Sequence, residues 1–185
     1  MIVFKQNRPF TIGAALMLSI IGLGIGQAVL QNKADAQRAE AQGYVLNAAE
    51  GEHLILRGGN IFIKVDPSRG SNNLAVGTQQ IPVDGLIPVH RHVRMDEFFY
   101  VVEGSGTFVL NDARLSFEKG DTVFIPKGAW HGFEKSNKER LLVWGVTPPG
   151  LDDQLRTMAS RPGEPPKQLS REQLNEIAQK WTEFK

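Results

Sequence analysis

His90 and His92 stand one residue apart in "VHRHVRMDEFFYVVEGSG", and Glu97 follows five residues after the second histidine. The sequence holds four histidines, at 53, 90, 92 and 131. Two of them in one short strand-like stretch call for a chemical reason. Along a β-strand, residues i and i+2 leave from the same face, so His90 and His92 project together. The intervening "VRMD" can turn a tight corner, and Glu97 then begins the next strand and can point back to the same place. His131 enters a later strand after "GDTVFIPKGAW". Three imidazoles and one carboxylate can thus converge. No Lys or Arg occupies a matching inward position to make them an ion-pair cluster. Such a donor set suits a divalent first-row metal: imidazole favours Fe, Ni, Cu or Zn, and the carboxylate admits Mn. Four protein ligands on a six-coordinate ion leave about two positions for water, substrate or dioxygen. The competing arrangement is a polar pocket without metal, its members hydrogen-bonded to one another. His53 stands apart and reads as a packed or surface residue.

The elements that must position these groups are short. "HLILR", "NIFIKV", "NLAVGTQQI", "EFFYVV", "GTFVLN", "RLSF", "DTVFI" and "RLLVWGV" are rich in β-branched and aromatic residues. Turn formers separate them, among them "RGGN", "DPSRGSNN", "VEGSG", "EKGD" and "PKGAW". Many short strands at regular spacing predict an all-β sandwich or barrel. "NIFIKV" alternates Ile61, Ile63 and Val65 against Phe62 and Lys64, as in a half-exposed strand, whereas "LLVWGV" is apolar on both faces and should be buried on both. Phe98, Phe99 and Tyr100 put aromatic bulk on both faces of one strand, which predicts a covered outer face. After Pro148-Pro149-Gly150 the texture changes. Leu151, Leu155 and Met158 fall at helical spacing, "RPGEPP" breaks the chain, and "SREQLNEIAQKW" offers Ser170 as N-cap with Gln173 completing a capping box. Leu169 and Leu174 can form a hydrophobic staple. Leu174, Ile177, Ala178 and Trp181 make one apolar face, expected to pack on the barrel wall or on a second subunit, with a lid over the barrel mouth as the alternative.

With both segments in view, the chain resembles the cupins. The first cupin motif spaces a glycine, His-x-His, a glutamate and a second glycine; Gly85, His90, His92, Glu97 and Gly104 follow it, with Gly85 one residue closer to the first histidine than the pattern asks. The second motif is met by Gly120, Pro126, Gly128 and His131, with Lys135 at the usual asparagine place and Asn137 two residues on. The short spacer between Gly104 and Gly120 is typical of microbial single-domain members. The resemblance covers about residues 53–147. It implies a double-stranded β-helix, a jelly-roll barrel, with metal inside and His90, His92, Glu97 and His131 as ligands. Turns at Gly104 and Gly120 would need positive φ or close backbone approach. Pro126 and Gly128 would set the turn that aims His131 inward. Cupins commonly dimerise through their sheets, so a homodimer is expected. Trp130 and Phe133 read as core or pocket wall, and Glu103 as a solvated carboxylate.

Composition narrows the field. The 185 residues are 41% hydrophobic, enough for a sizeable core, and the net charge is +1. Residues 1–36 hold Lys5, Arg8 and Lys33 against Asp35, so the remainder carries about −1. There is no basic stripe and no zinc-finger spacing, which argues against a nucleic-acid partner. The absence of cysteine removes disulfides, zinc–thiolate sites and cysteine nucleophiles. Lys5 and Arg8 precede an uncharged apolar run over residues 10–30. As a helix it would reach roughly 30 Å, enough to cross a bilayer. It reads as a secretory signal, with Ala34-Asp35-Ala36 as the small-x-small cleavage site, or as an uncleaved membrane anchor. Either reading places the rest of the chain outside the cytoplasm, exported to the periplasm or beyond, or held at the membrane. The expected organisation is therefore 1–36 signal or anchor, 37–52 linker, 53–147 cupin barrel and 148–185 helical tail.

Fold alone does not give function. The expectation is a metal-dependent oxygenase or related enzyme acting on a small organic substrate, loosely similar in its tail to bacterial quercetinase-like cupins. The cofactor would be Fe, Mn, Ni or Zn. Glu97 would be both ligand and, on loosening, the catalytic proton acceptor. A non-catalytic module that holds a metal or small ligand, or a metal-dependent isomerase, would use the same residues.

Overall fold

Residues 43–185 are described by the structure, a computed structural model. The apolar run at 10–30 and the Ala34-x-Ala36 site lie outside them. Among the described residues no helix is long and apolar enough to cross a membrane. The strands are β1 (Glu52–Leu56), β2 (Gly59–Val65), β3 (Ala75–Ile81), β4 (Ile87–His92), β5 (Asp96–Glu103) and β6 (Gly106–Leu110). They continue as β7 (Ala113–Phe117), β8 (Thr122–Ile125), β9 (His131–Phe133), β10 (Arg140–Thr147) and β11 (Thr182–Phe184). Two helices, α1 (Leu151–Met158) and α2 (Arg171–Lys180), lie between β10 and β11. One sheet has the order β1-β2-β3-β10-β5-β8 and the other β11-β4-β9-β6-β7. Their pairings are antiparallel throughout. This is the mostly-β jelly roll with C-terminal helices that the sequence predicts.

Alternation along the strands builds the core and the site in one operation. On β5, Glu97, Phe99 and Val101 point inward and are buried, while Phe98 and Tyr100 face out at 38% and 44% exposure. On β9, His131 and Phe133 share the inner side with Phe108 of β6. Phe99 and Phe117 both meet Phe133 edge-on, with ring centroids 5.0 and 5.3 Å apart. The polar groups thus sit directly against a dry aromatic core. Ile61 and Ile63 of β2 are fully buried, but a register shift between Ile63 and Val65 ends the predicted alternation early. β10 is central in its sheet, yet Leu141 and Val143 are only half-buried, so its second face is not fully covered as "LLVWGV" suggested.

Space dictates glycine at Gly77 and Gly104, among other positions. A Cβ on Gly77 would lie 2.5 Å from the indole of Trp144, the largest fully buried side chain. Gly104 has φ 91 and backs onto the Glu139 carbonyl, 2.3 Å from where a Cβ would be. The second value explains the glycine at the end of the first motif: β5 must reverse into β6 hard against the neighbouring strand.

Helix α1 is fastened over the barrel by one arginine. Arg156 pairs with Glu52 of β1 at 2.7 Å, with the fully buried Asp66, and with Asp152 and Asp153 of its own helix at 3.1 Å each. The capping box at Ser170 and Gln173 forms as predicted, with both reciprocal hydrogen bonds present. Of the expected apolar face on α2, Ile177 is buried, while Leu174 is 42% exposed. The tail departs from the helical expectation at its end. Thr182, Glu183 and Phe184 return as β11 and pair with His92, Arg91 and His90 of β4. Arg91 also pairs with Glu183, and its guanidinium lies over Trp130, which places that indole outside the core.

Candidate metal centre

His90 and His92 come from β4, Glu97 from β5 and His131 from β9. β4 and β9 are neighbours in one sheet, with His90 opposite His131, and Glu97 reaches across from the facing sheet. One nitrogen or oxygen of each residue lies within 4.8 Å of every other. All four residues are buried. His53 is elsewhere, hydrogen-bonded to Asn60 at 2.8 Å and stacked on Phe62. Glu103 is exposed at the end of β5.

Hydrogen bonds at the outer nitrogens determine which atoms face inward. The Nδ1 of His90 lies 2.8 Å from the Pro88 carbonyl, and that of His131 lies 2.9 Å from the Ala129 carbonyl. A carbonyl can only accept, so both Nδ1 atoms carry a proton, and in the neutral ring Nε2 is then the atom with the lone pair. His92 Nδ1 lies 2.8 Å from Thr182 Oγ1. The Nε2 atoms of His92 and His131 lie 3.2 and 2.9 Å from the same oxygen, Glu97 Oε2. None of these three buried atoms completes a hydrogen bond. Orphaned polar atoms in a dry interior are costly, and a shared cation satisfies them together. The separations fit such a cation: two adjacent ligands on an octahedral ion with bonds of about 2.1 Å stand about 3.0 Å apart.

Burial, reinforced by His131 and His92 beside it, lowers the His90 pKa to about 3, so the ring is neutral. Burial alone would raise Glu97, but the adjacent His92 and His131 outweigh it and hold the carboxyl well below the usual range. A neutral His90 ring and an ionised Glu97 are the protonation states in which these two groups bind metal.

The cluster opens on a cavity with His90 and Glu97 in its wall. Leu56, Ile81, Leu86, Ile87 and Phe99 line it from the barrel, Leu151, Leu155 and Met158 from α1, and Phe184 from β11. Arg57, Gln79, Gln80 and Gln154 supply its polar groups. The covering helix is therefore α1, whereas the sequence reading considered the later helix as a lid.

Residues 77–146 match the family model of the cupin domain. Over that segment the chain is similar to the cupins. It is 31% identical over 68 residues to an uncharacterized protein of Methanocaldococcus jannaschii, a match covering 34% of this chain and 54% of that protein. The chain spans about half the length of the curated relatives it matches. Among solved structures, KdgF from a Halomonas species superposes with TM-score 0.54 at 20% identity, covering 62% of this chain and 100% of that one. An RmlC-like cupin from Shewanella frigidimarina gives 0.53 at 19%, covering 60% and 96%. Likeness at this level concerns the fold. The four motif residues meet, and their donor set fits a metal site of the cupin kind. Sequence reasoning missed Thr182 and Gln154, which stand behind His92. The one available signal was the alternation of Thr182 and Phe184, too short to announce a strand.

Proposed function

We propose that this cupin-like chain is a metal-dependent oxygenase or related enzyme acting on a small, largely apolar organic substrate. The observation that carries the reading is the convergence of three imidazole Nε2 lone pairs and Glu97 at the wall of an apolar cavity. His90, His92, Glu97 and His131 would hold the ion. A divalent cation there would supply Lewis acidity toward a hydroxylated or enolic substrate. The chain's own residues do the rest. Glu97 would be the acceptor for the substrate hydroxyl proton. The aliphatic wall and Phe99 exclude water and favour an aromatic body over a sugar. Gln79 and Arg57 offer hydrogen bonds to its polar substituents. A second copy is the protein partner in this reading, covering Phe98, Tyr100 and Phe124 on the outer face of β5 and β8; Phe124 is 61% exposed. Residues 10–30 would export the chain or hold it at the membrane.

The test uses the full chain loaded in turn with Fe(II), Mn(II), Ni(II) or Zn(II), with oxygen uptake followed against catechol-like and diketone compounds. Uptake that requires both metal and compound is expected. Tight compound binding without turnover for any of the four metals would overturn the oxygenase in favour of a non-catalytic binding cupin. Isomerisation of a keto acid or sugar without oxygen uptake would overturn it in favour of an isomerase.

A further inference from the structure

His92 differs from the other two histidines in what stands behind it. His90 and His131 each lean on a carbonyl two residues earlier in the chain, which for a neutral ring admits only one tautomer. His92 leans on a hydroxyl, which can donate or accept. The choice is made one step further out. Thr182 Oγ1 lies 2.6 Å from Gln154 Oε1 and donates to it. Having given its proton to the amide oxygen, the hydroxyl can only accept from His92 Nδ1. The proton of His92 is thereby placed on Nδ1, and Nε2 faces Glu97 as a lone pair. His92, Gln154 and Thr182 are all buried, at 2%, 4% and 0% exposure, so water does not compete along this chain of contacts. The amide is oriented in turn by its Nε2, which faces Met158 Sδ at 3.6 Å.

We infer that Gln154 of α1 and Thr182 of β11 are positioning residues for the metal centre, forming a directional relay that selects the metal-competent tautomer of His92. Read backwards, with the amide turned over, the same relay would have Gln154 donate to Thr182 and Thr182 donate to His92. The proton would then sit on Nε2, the very atom a metal needs. The centre thus depends on the last strand of the chain, about ninety positions from the histidine it orients. Outer partners of metal-bound histidines act by fixing tautomer, ring orientation and basicity.

The effect on affinity rests on the four residues being a metal centre; the effect on tautomer does not, and the two are read separately. In metal-free full-length protein, long-range proton–nitrogen NMR should show His92 protonated at Nδ1. Thr182→Val, which keeps shape and removes the hydroxyl, should give a mixture of tautomers or Nε2 protonation. Thr182→Ser should retain the wild-type pattern. In chelator competition with Mn(II), Thr182→Val should weaken binding about 10–100-fold, and Thr182→Ser by no more than about threefold. Gln154→Met cuts the relay at its far end and gives the same direction of change should the valine variant fail to fold. Nδ1 protonation of His92 retained in every variant, or Nε2 protonation in the wild type, would overturn the relay. A wild type that takes up no metal would instead overturn the metal reading, leaving the tautomer measurement to judge the relay.

Discussion

Glu97→Gln is expected to abolish metal retention without destabilising the metal-free protein. The carboxylate supplies the one formal charge in a site whose other donors are neutral nitrogens. Losing an outer partner of a ligand costs about 10–100-fold in affinity, so loss of the only anionic ligand should cost at least about 100-fold. Stability should move the other way. Glu97 is fully desolvated, and its Oε2 faces the lone pairs of His92 and His131 at 3.2 and 2.9 Å. A glutamine amide can turn its two N–H groups toward those nitrogens and convert opposed acceptors into hydrogen bonds. Chemical denaturation in chelator should therefore show the variant equal to or above wild type. The competing picture is an imidazolium paired with Glu97 and no metal. There the substitution strips a buried cation of its partner and should cost about 3 kcal/mol or more. The sign of that one difference separates the two pictures.

Saturating metal should raise the melting temperature by a margin too large to come from surface binding. Free metal at a thousandfold over Kd adds about 4 kcal/mol to the folded state. For a chain of this size that is roughly 8–16 °C. The ion would join β4, β9 and β5, so it would tie one sheet to the other in addition to filling a site. His131→Ala should reduce the rise to less than about 3 °C, measured by calorimetry with and without Mn(II). An equal rise in wild type and His131→Ala would place the ion elsewhere on the chain.

The four motif residues were legible because strand geometry is local. A period of two makes His90 and His92 share a face, and the same period places Phe99 and Val101 below Glu97. The turn glycines were legible for a similar reason, since Gly104 and Gly120 take the positive φ that their positions require. The capping box at Ser170 is local too. What escaped was set by pairing across long sequence distances. β11 is three residues long and acquires its meaning from β4, some ninety positions earlier. Helix α1 could be read as amphipathic, but that Gln154 enters the cavity wall while Arg156 clamps Asp66 and Glu52 depends on where α1 docks. The outward set of Phe98 and Tyr100 follows from the inward set of Glu97 and Phe99, so the predicted outer aromatic face was within reach of the pattern.

Anomalous diffraction from crystals of the full chain grown with Mn(II), recorded on both sides of the metal edge, addresses the central claim most directly. One peak is predicted, about 2.0–2.3 Å from Nε2 of His90, His92 and His131 and from a carboxylate oxygen of Glu97. An empty difference map at that point, with Glu97 hydrogen-bonded to the imidazoles around it, would contradict the account.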